Sequence, residues 1–161
     1  DYRVDAESFD LYGRLEIHTQ KKFFHPAITY GHHASYEHLF LRRADDVRVP
    51  ALERLVGLAA DLADRWIEAD EEHYATEFTF AVVVPEIPDD VREFVAGFSD
   101  RNMLKYGYNG YHETHLAVVA PEREDVVTSQ RADVADALTV WRPIDADVPG
   151  PLERLKRRLL G

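Results

Sequence analysis

The run from Tyr108 to Glu122, YNGYHETHLAVVAPE, concentrates side chains that could hold a metal ion or move a proton. Its centre, HETH, carries the His-Glu opening of a zinc-hydrolase signature. That signature sets two histidines four apart on a helix, so that one turn brings both imidazoles to the same ion. Here His112 and His115 are three apart, in a stretch whose composition predicts a strand. Residues three apart on a strand point to opposite faces, so this pair cannot chelate one ion. One face is left with Tyr111, Glu113 and His115.

A second stretch echoes the first. Residues 77–86 read EFTFAVVVPE and residues 113–122 read ETHLAVVAPE, six of ten positions being identical. The flanks do not continue the likeness, so it marks two similar strands rather than a repeat. If the strands are parallel and in register, Glu77 and Glu113 share a level and a face, as do Thr79 and His115. Two carboxylates and an imidazole can bind a divalent cation through oxygen and nitrogen. They can also raise the pKa of one acid for proton transfer. Glu77, Glu113 and His115 are therefore the candidate catalytic residues. The plainer alternative is a polar strand end that faces water. Ligands in open parallel sheets gather at the carboxyl ends of strands, where Glu86 and Glu122 stand, whereas Glu77 and Glu113 stand at the amino ends.

Five of the eight histidines fall between His18 and His38. Glu16 and His18 share one face of a first predicted strand. On a second, His33, Ser35 and Glu37 share a face, with His32, Tyr36 and His38 on the other. Convergence of Glu16, His18, His33, Glu37, Glu113 and His115 would make a metal site without thiolates. A scatter of imidazoles on half-buried strands is the alternative. No phosphate-binding glycine loop, dinucleotide fingerprint or nucleophile elbow occurs, and Ser8, Ser35, Ser99 and Ser129 lack a nucleophile context.

The elements that must position these residues follow from periodicity. Residues 9–24 and 27–42 predict two strands around His25-Pro26, the first alternating Leu15, Ile17 and Thr19 with Glu16, His18 and Gln20. Pro50 opens a helix with Leu52, Leu55, Val56, Ala59, Leu62, Ala63 and Trp66 on one face. The strand EFTFAVVVP ends at Pro85, and Pro88-Asp89-Asp90 starts a second helix with Val91, Phe94, Val95 and Phe98 inside. Asn109-Gly110 predicts a two-residue hairpin that sets Tyr108 opposite Tyr111, Gly107 opposite His112 and Tyr106 opposite Glu113. A strand over 111–120 and a helix from about Ser129 to Trp141 complete a domain of residues 1–143. Residues 144–161 form a linker and a short basic amphipathic helix with Arg154, Lys156, Arg157 and Arg158. That tail suits docking within the chain or onto a second copy.

The order β-β-α-β-α-β-β-α-α predicts an α/β domain of mixed α+β build. It has a mixed sheet of about five strands, helices packed on it and at least one parallel crossover. Restriction-endonuclease-like domains are similar in order. Their acid and Glu-x-Lys signature is absent, since Glu37, Glu77 and Glu113 are followed two places on by Leu39, Thr79 and His115.

Nineteen Lys+Arg oppose thirty Asp+Glu, a net charge of −11, and only four of the basic residues are lysine. This acid-rich, lysine-poor balance resembles that of proteins from extremely halophilic archaea, where dense carboxylates keep a surface hydrated in concentrated salt. It also opposes broad electrostatic binding to nucleic acid, which needs a basic face. The chain has no cysteine, which excludes disulfides and thiolate zinc sites and fits the cytoplasm. No apolar run approaches the roughly 20 residues that span a bilayer, and no secretory leader pattern occurs. A chain that opens on Asp1 leaves room for an upstream segment. The sequence points to a soluble domain that binds a ligand or partner. Its alternative is a metal-dependent hydrolase, of which a nuclease is one form, using Glu16, His33, Glu37, Glu77, Glu113 and His115 with a divalent metal.

Overall fold

A helix must bury its apolar stripe and a half-polar strand its apolar face, and here one surface serves both. The structure, a computed structural model, describes residues 1–21, 31–132 and 134–141. A small hairpin of β1 (Tyr2–Val4) and β2 (Glu7–Phe9) precedes the main sheet, with Asp5 at φ 51° in its turn. The main sheet has the order β3 (Leu11–Lys21), β4 (Gly31–Arg43), β5 (His73–Val83), β7 (Tyr111–Ala120), β6 (Asp100–Met103), and β8 (Asp125–Thr128) also pairs with β7. Strands β4, β5 and β7 are parallel, while β3, β6 and β8 run against their neighbours. The mixed α+β class read from the sequence is the class of the molecule.

The two crossovers carry α1 (Val49–Trp66) and α2 (Asp89–Gly97). Both steps move the same way across the sheet, from β4 to β5 and from β5 to β7. Right-handed crossovers therefore put both helices on one face. Pro50 lies in the first turn of α1, where its missing N–H costs nothing, and Leu52, Leu55, Leu58, Ala59, Leu62 and Ala63 are buried. Asp89 and Asp90 occupy the first turn of α2, whose Val91 and Val95 face inward. These residues pack on Phe40, Phe78, Phe80, Val82, Leu116 and Val118, the even-numbered positions of the central strands. Phe9 joins them from β2, with Phe40 at 5.1 Å between ring centroids. Arg65 holds Asp5 by two hydrogen bonds of 3.1 and 2.6 Å, which ties the hairpin to α1.

Three expectations need correction. The Asn109-Gly110 pair does not make a two-residue hairpin. Residues 104–110 form the connection, with a single 3₁₀ turn at Lys105–Gly107. Met103, Asn102 and Arg101, not Tyr108, Gly107 and Tyr106, face Tyr111, His112 and Glu113. The cause is tertiary. Asn109 is buried, its side-chain amide donates to the Ala69 carbonyl, and its own carbonyl accepts from His73 Nδ1 at 2.7 Å. With Asn109 anchored to Ala69 and to His73 on β5, the turn cannot close on itself, and Tyr106 and Tyr108 project into solvent.

The helix from Ser129 to Trp141 shrinks to α3 (Ala135–Leu138), a single turn. Ser129 is instead drawn into the sheet: its N–H bonds the Leu116 carbonyl at 2.8 Å and its Oγ accepts from the Leu116 N–H at 2.9 Å. Strands β1, β2 and β8, three or four residues each, add to the predicted set because runs so short carry little periodicity. The His25-Pro26 connection and the tail of residues 144–161 lie outside the described residues.

Candidate metal centre

The face of the sheet away from α1 and α2 carries the odd-numbered positions of the central strands. Because β4, β5 and β7 are parallel and in register, Glu37, Glu77 and Glu113 lie in one row across them, and Leu39, Thr79 and His115 in the next. Glu77 and Glu113 are direct register partners, and so are Thr79 and His115. The strand echo in the sequence is thus a spatial pairing.

Three of these side chains converge. His115 Nε2 lies 3.3 Å from Glu77 Oε2 and 3.7 Å from Glu113 Oε2. One ligand atom from each of the three can be chosen so that all lie within 4.8 Å of one another. Ligands held at about 2.0–2.2 Å around a tetrahedral ion are themselves about 3.3–3.6 Å apart, close to the two separations made by His115. Glu113 and His115 are each only 4% exposed, while Glu77 is half-buried and opens the cluster to solvent.

Four buried side-chain polar atoms among the described residues have no hydrogen-bond partner, and two of them are the ring nitrogens of His115. A buried imidazole ordinarily satisfies both nitrogens or is displaced toward water. Here Nε2 stands 3.3 and 3.7 Å from two carboxylates without a hydrogen bond to either, near the spacing of ligands around an ion. Nδ1 lacks the carboxylate or carbonyl that usually steadies a metal-binding imidazole.

The other oxygen of Glu113 is occupied. Oε1 accepts from Arg101 Nε and from Arg131 Nη1, the latter at 3.1 Å. Burial alone would raise the Glu113 pKa, but these two guanidiniums outweigh it and hold the carboxyl below its ordinary value. Glu113 is therefore a ready anion, with Oε2 turned to His115. Arg101 lies 4.2 Å over the Tyr111 ring. Burial, and then the charge of Glu77, pushes the Tyr111 phenol up.

The remaining candidates go elsewhere. Glu16 and His18 lie on the helix face and pair with each other at 2.7 Å. His33 lies beside Tyr74, 5.9 Å between rings, at the amino end of β4. Glu37 shares the row of Glu77 but is not among the three groups whose ligand atoms converge. His112 is on the opposite face from His115, as the strand period requires, and burial lowers its pKa. The six-residue convergence of three histidine-bearing strands does not form, because β5 separates β4 from β7 and Glu16 and His18 point the other way. The sequence reading missed the two arginines. The signal for Arg101 was the pairing of β6 with β7, hidden by the assumed hairpin, whereas Arg131 follows β8 in a stretch expected to be helix.

A separate cleft of about 490 Å³ opens on the helix face, walled in part by Tyr12, Tyr36, His38, Trp66 and His73. The Tyr12 hydroxyl and His38 Nδ1 share a hydrogen bond at 2.9 Å, and burial lowers the His38 pKa to about 4. The imidazole is neutral at ordinary pH and takes no part in the odd-face cluster.

Residues 1–140 match the family model of a domain of unknown function, DUF8052. No curated protein and no solved structure matches the chain.

Proposed function

We propose that this chain, which belongs to the DUF8052 family, is a ligand-binding domain whose ligand is a divalent metal ion. The ion is held by Glu77, Glu113 and His115 on the face of the sheet opposite the helices. One observation carries the reading: a buried imidazole with neither nitrogen hydrogen-bonded stands 3.3 and 3.7 Å from two carboxylates. A mixed oxygen and nitrogen donor set favours Mn²⁺, Fe²⁺, Ni²⁺ or Zn²⁺ over Ca²⁺, which takes oxygen alone.

Protein purified without chelator should contain one metal per chain by elemental analysis. Added Mn²⁺ or Zn²⁺ should raise the melting temperature by an amount set by occupancy. His115→Ala should abolish both effects, and His112→Ala, on the other face, should spare them. A melting temperature indifferent to Mg²⁺, Mn²⁺ and Zn²⁺, together with no bound metal, would sink the proposal.

Three protein ligands leave coordination positions for water, the arrangement of catalytic rather than structural sites. The solvent-facing side of Glu77 favours this second reading, a metal-dependent hydrolase in which the ion activates a water. The acid excess supports a surface adapted to concentrated salt, as in halophilic archaea. The cysteine-free composition supports residence in the cytoplasm. Among the described residues no helix is long and apolar enough to cross a membrane.

A further inference from the structure

We infer that the centre takes a dianionic phosphoryl group, gripped by Arg101 and Arg131 while one of its oxygens completes the coordination of the metal. The inference rests on the metal reading above and extends it to the class of ligand. Each guanidinium carries five N–H donors in a planar fork. Arg101 gives Nε to Glu113 and Arg131 gives Nη1. Among the described residues neither side chain has a second hydrogen-bond acceptor. The Tyr111 ring fixes the plane of Arg101 at 4.2 Å, so its remaining donors are presented in a set direction rather than swept through solvent. Both arginines keep solvent access, Arg131 more than Arg101. Parallel N–H groups of this kind match the oxygens of a phosphoryl group two at a time.

Charge decides which ligand and when. Without an ion, the carboxylates of Glu77 and Glu113 cancel the two guanidiniums, and the molecule as a whole carries −11, so an anion has no reason to approach. A divalent cation converts this locality to a net charge of +2, which a dianion neutralises. Phosphoryl binding is therefore contingent on the metal, and by linkage each ligand tightens the other by the same factor.

The test titrates Mn²⁺ into the protein, following free Mn²⁺ by electron paramagnetic resonance, with and without inorganic phosphate, and repeats it with acetate. Phosphate should tighten Mn²⁺ binding by about tenfold, acetate much less. With protein in excess over Mn²⁺, the phosphorus resonance should broaden beyond what the same Mn²⁺ produces without protein. Arg131→Gln lies at a solvent-exposed position, and its effect is read as the ratio of Mn²⁺ affinities with and without phosphate, which separates coupling from any change in Mn²⁺ binding alone. The same variant should cut the phosphate coupling several-fold, and Arg101→Gln should do likewise. If Mn²⁺ fails to bind the wild type, the metal reading falls and this inference with it. If Mn²⁺ binds but phosphate leaves its affinity unchanged, or acetate couples as strongly, or the coupling survives in both arginine variants, this inference alone is overturned.

Discussion

Glu113 shows how one buried carboxylate can be both a structural anion and a ligand. Its folded pKa is depressed, so it stabilises the fold above its ordinary pKa of 4.5, and that contribution is lost as pH falls through the folded value. Glu113→Gln should cost about 2 kcal/mol at pH 7, less than a fully buried pair because both arginines are partly solvated. The deficit should shrink at pH 3.5, already below the ordinary value at which the unfolded chain takes up the proton. Urea unfolding at the two pH values checks this, and parallel losses for wild type and variant would count against it.

His38 gives a second acid-linked effect with a different window. Its pKa falls from 6.5 unfolded to about 4 folded, so the unfolded chain binds the proton first. Stability on its account is full above pH 6.5 and declines toward pH 4, by up to about 3 kcal/mol. His38→Phe, which keeps the stacking against Phe78, should flatten that part of the profile, measured as midpoint denaturant concentration against pH.

At this scale much was legible in the sequence. The alternation around His115 separated it from His112, and the Glu77 and Glu113 echo placed them level. Arg101 was not legible, because a cross-strand partner is defined by register, and register depended on a turn whose conformation is set elsewhere in the fold. Arg131 was not legible because it follows β8 at φ 68°, in a stretch whose pattern predicts helix.

Among the elements, glycines expose the difference between local and tertiary control. Gly110 sits at φ +77°, and a Cβ there would stand 2.0 Å from the Tyr74 carbonyl oxygen, a backbone atom with no freedom to retreat. Gly110→Ala should cost about 3 kcal/mol or more and loosen β6 from β7, closest to the candidate site. Gly57 lies on the exposed side of α1, where a Cβ meets nothing within 4 Å. Gly57→Ala should stabilise the protein by about 0.5–1 kcal/mol, through helix propensity alone. Thermal unfolding of the two variants should move in opposite directions; a neutral Gly110→Ala would mean that the connection tolerates rearrangement. Long elements such as α1 and β7 were readable because many residues vote for one period. The turn at Asn109 was misread because its local signal is real, yet two long-range bonds to Ala69 and His73 override it. The sequence could not show that Ser129 would bond to Leu116 rather than begin a helix.

For the whole molecule, the proposed salt adaptation has a direct readout. Exposed acids such as Glu53, Asp61, Glu68, Glu71 and Glu93 have no ion-pair partner among the described residues, so they repel one another in dilute buffer. Raising KCl from 0.2 to 3 M should lift the melting temperature by roughly 10 °C as this repulsion is screened and the hydrated carboxylates resist salting out. A flat or falling melting temperature over that range removes the halophilic reading.

The outer edge of β7 has a further consequence. Strand β6 covers residues 111–114, β8 covers 117–120, and Ser129 closes the gap at Leu116. That flank therefore ends in two strands of four residues each, while β3 ends the sheet on the other side with eleven. Short edge strands offer few backbone groups in a row to an incoming chain, so strand-to-strand association between copies is favoured at β3.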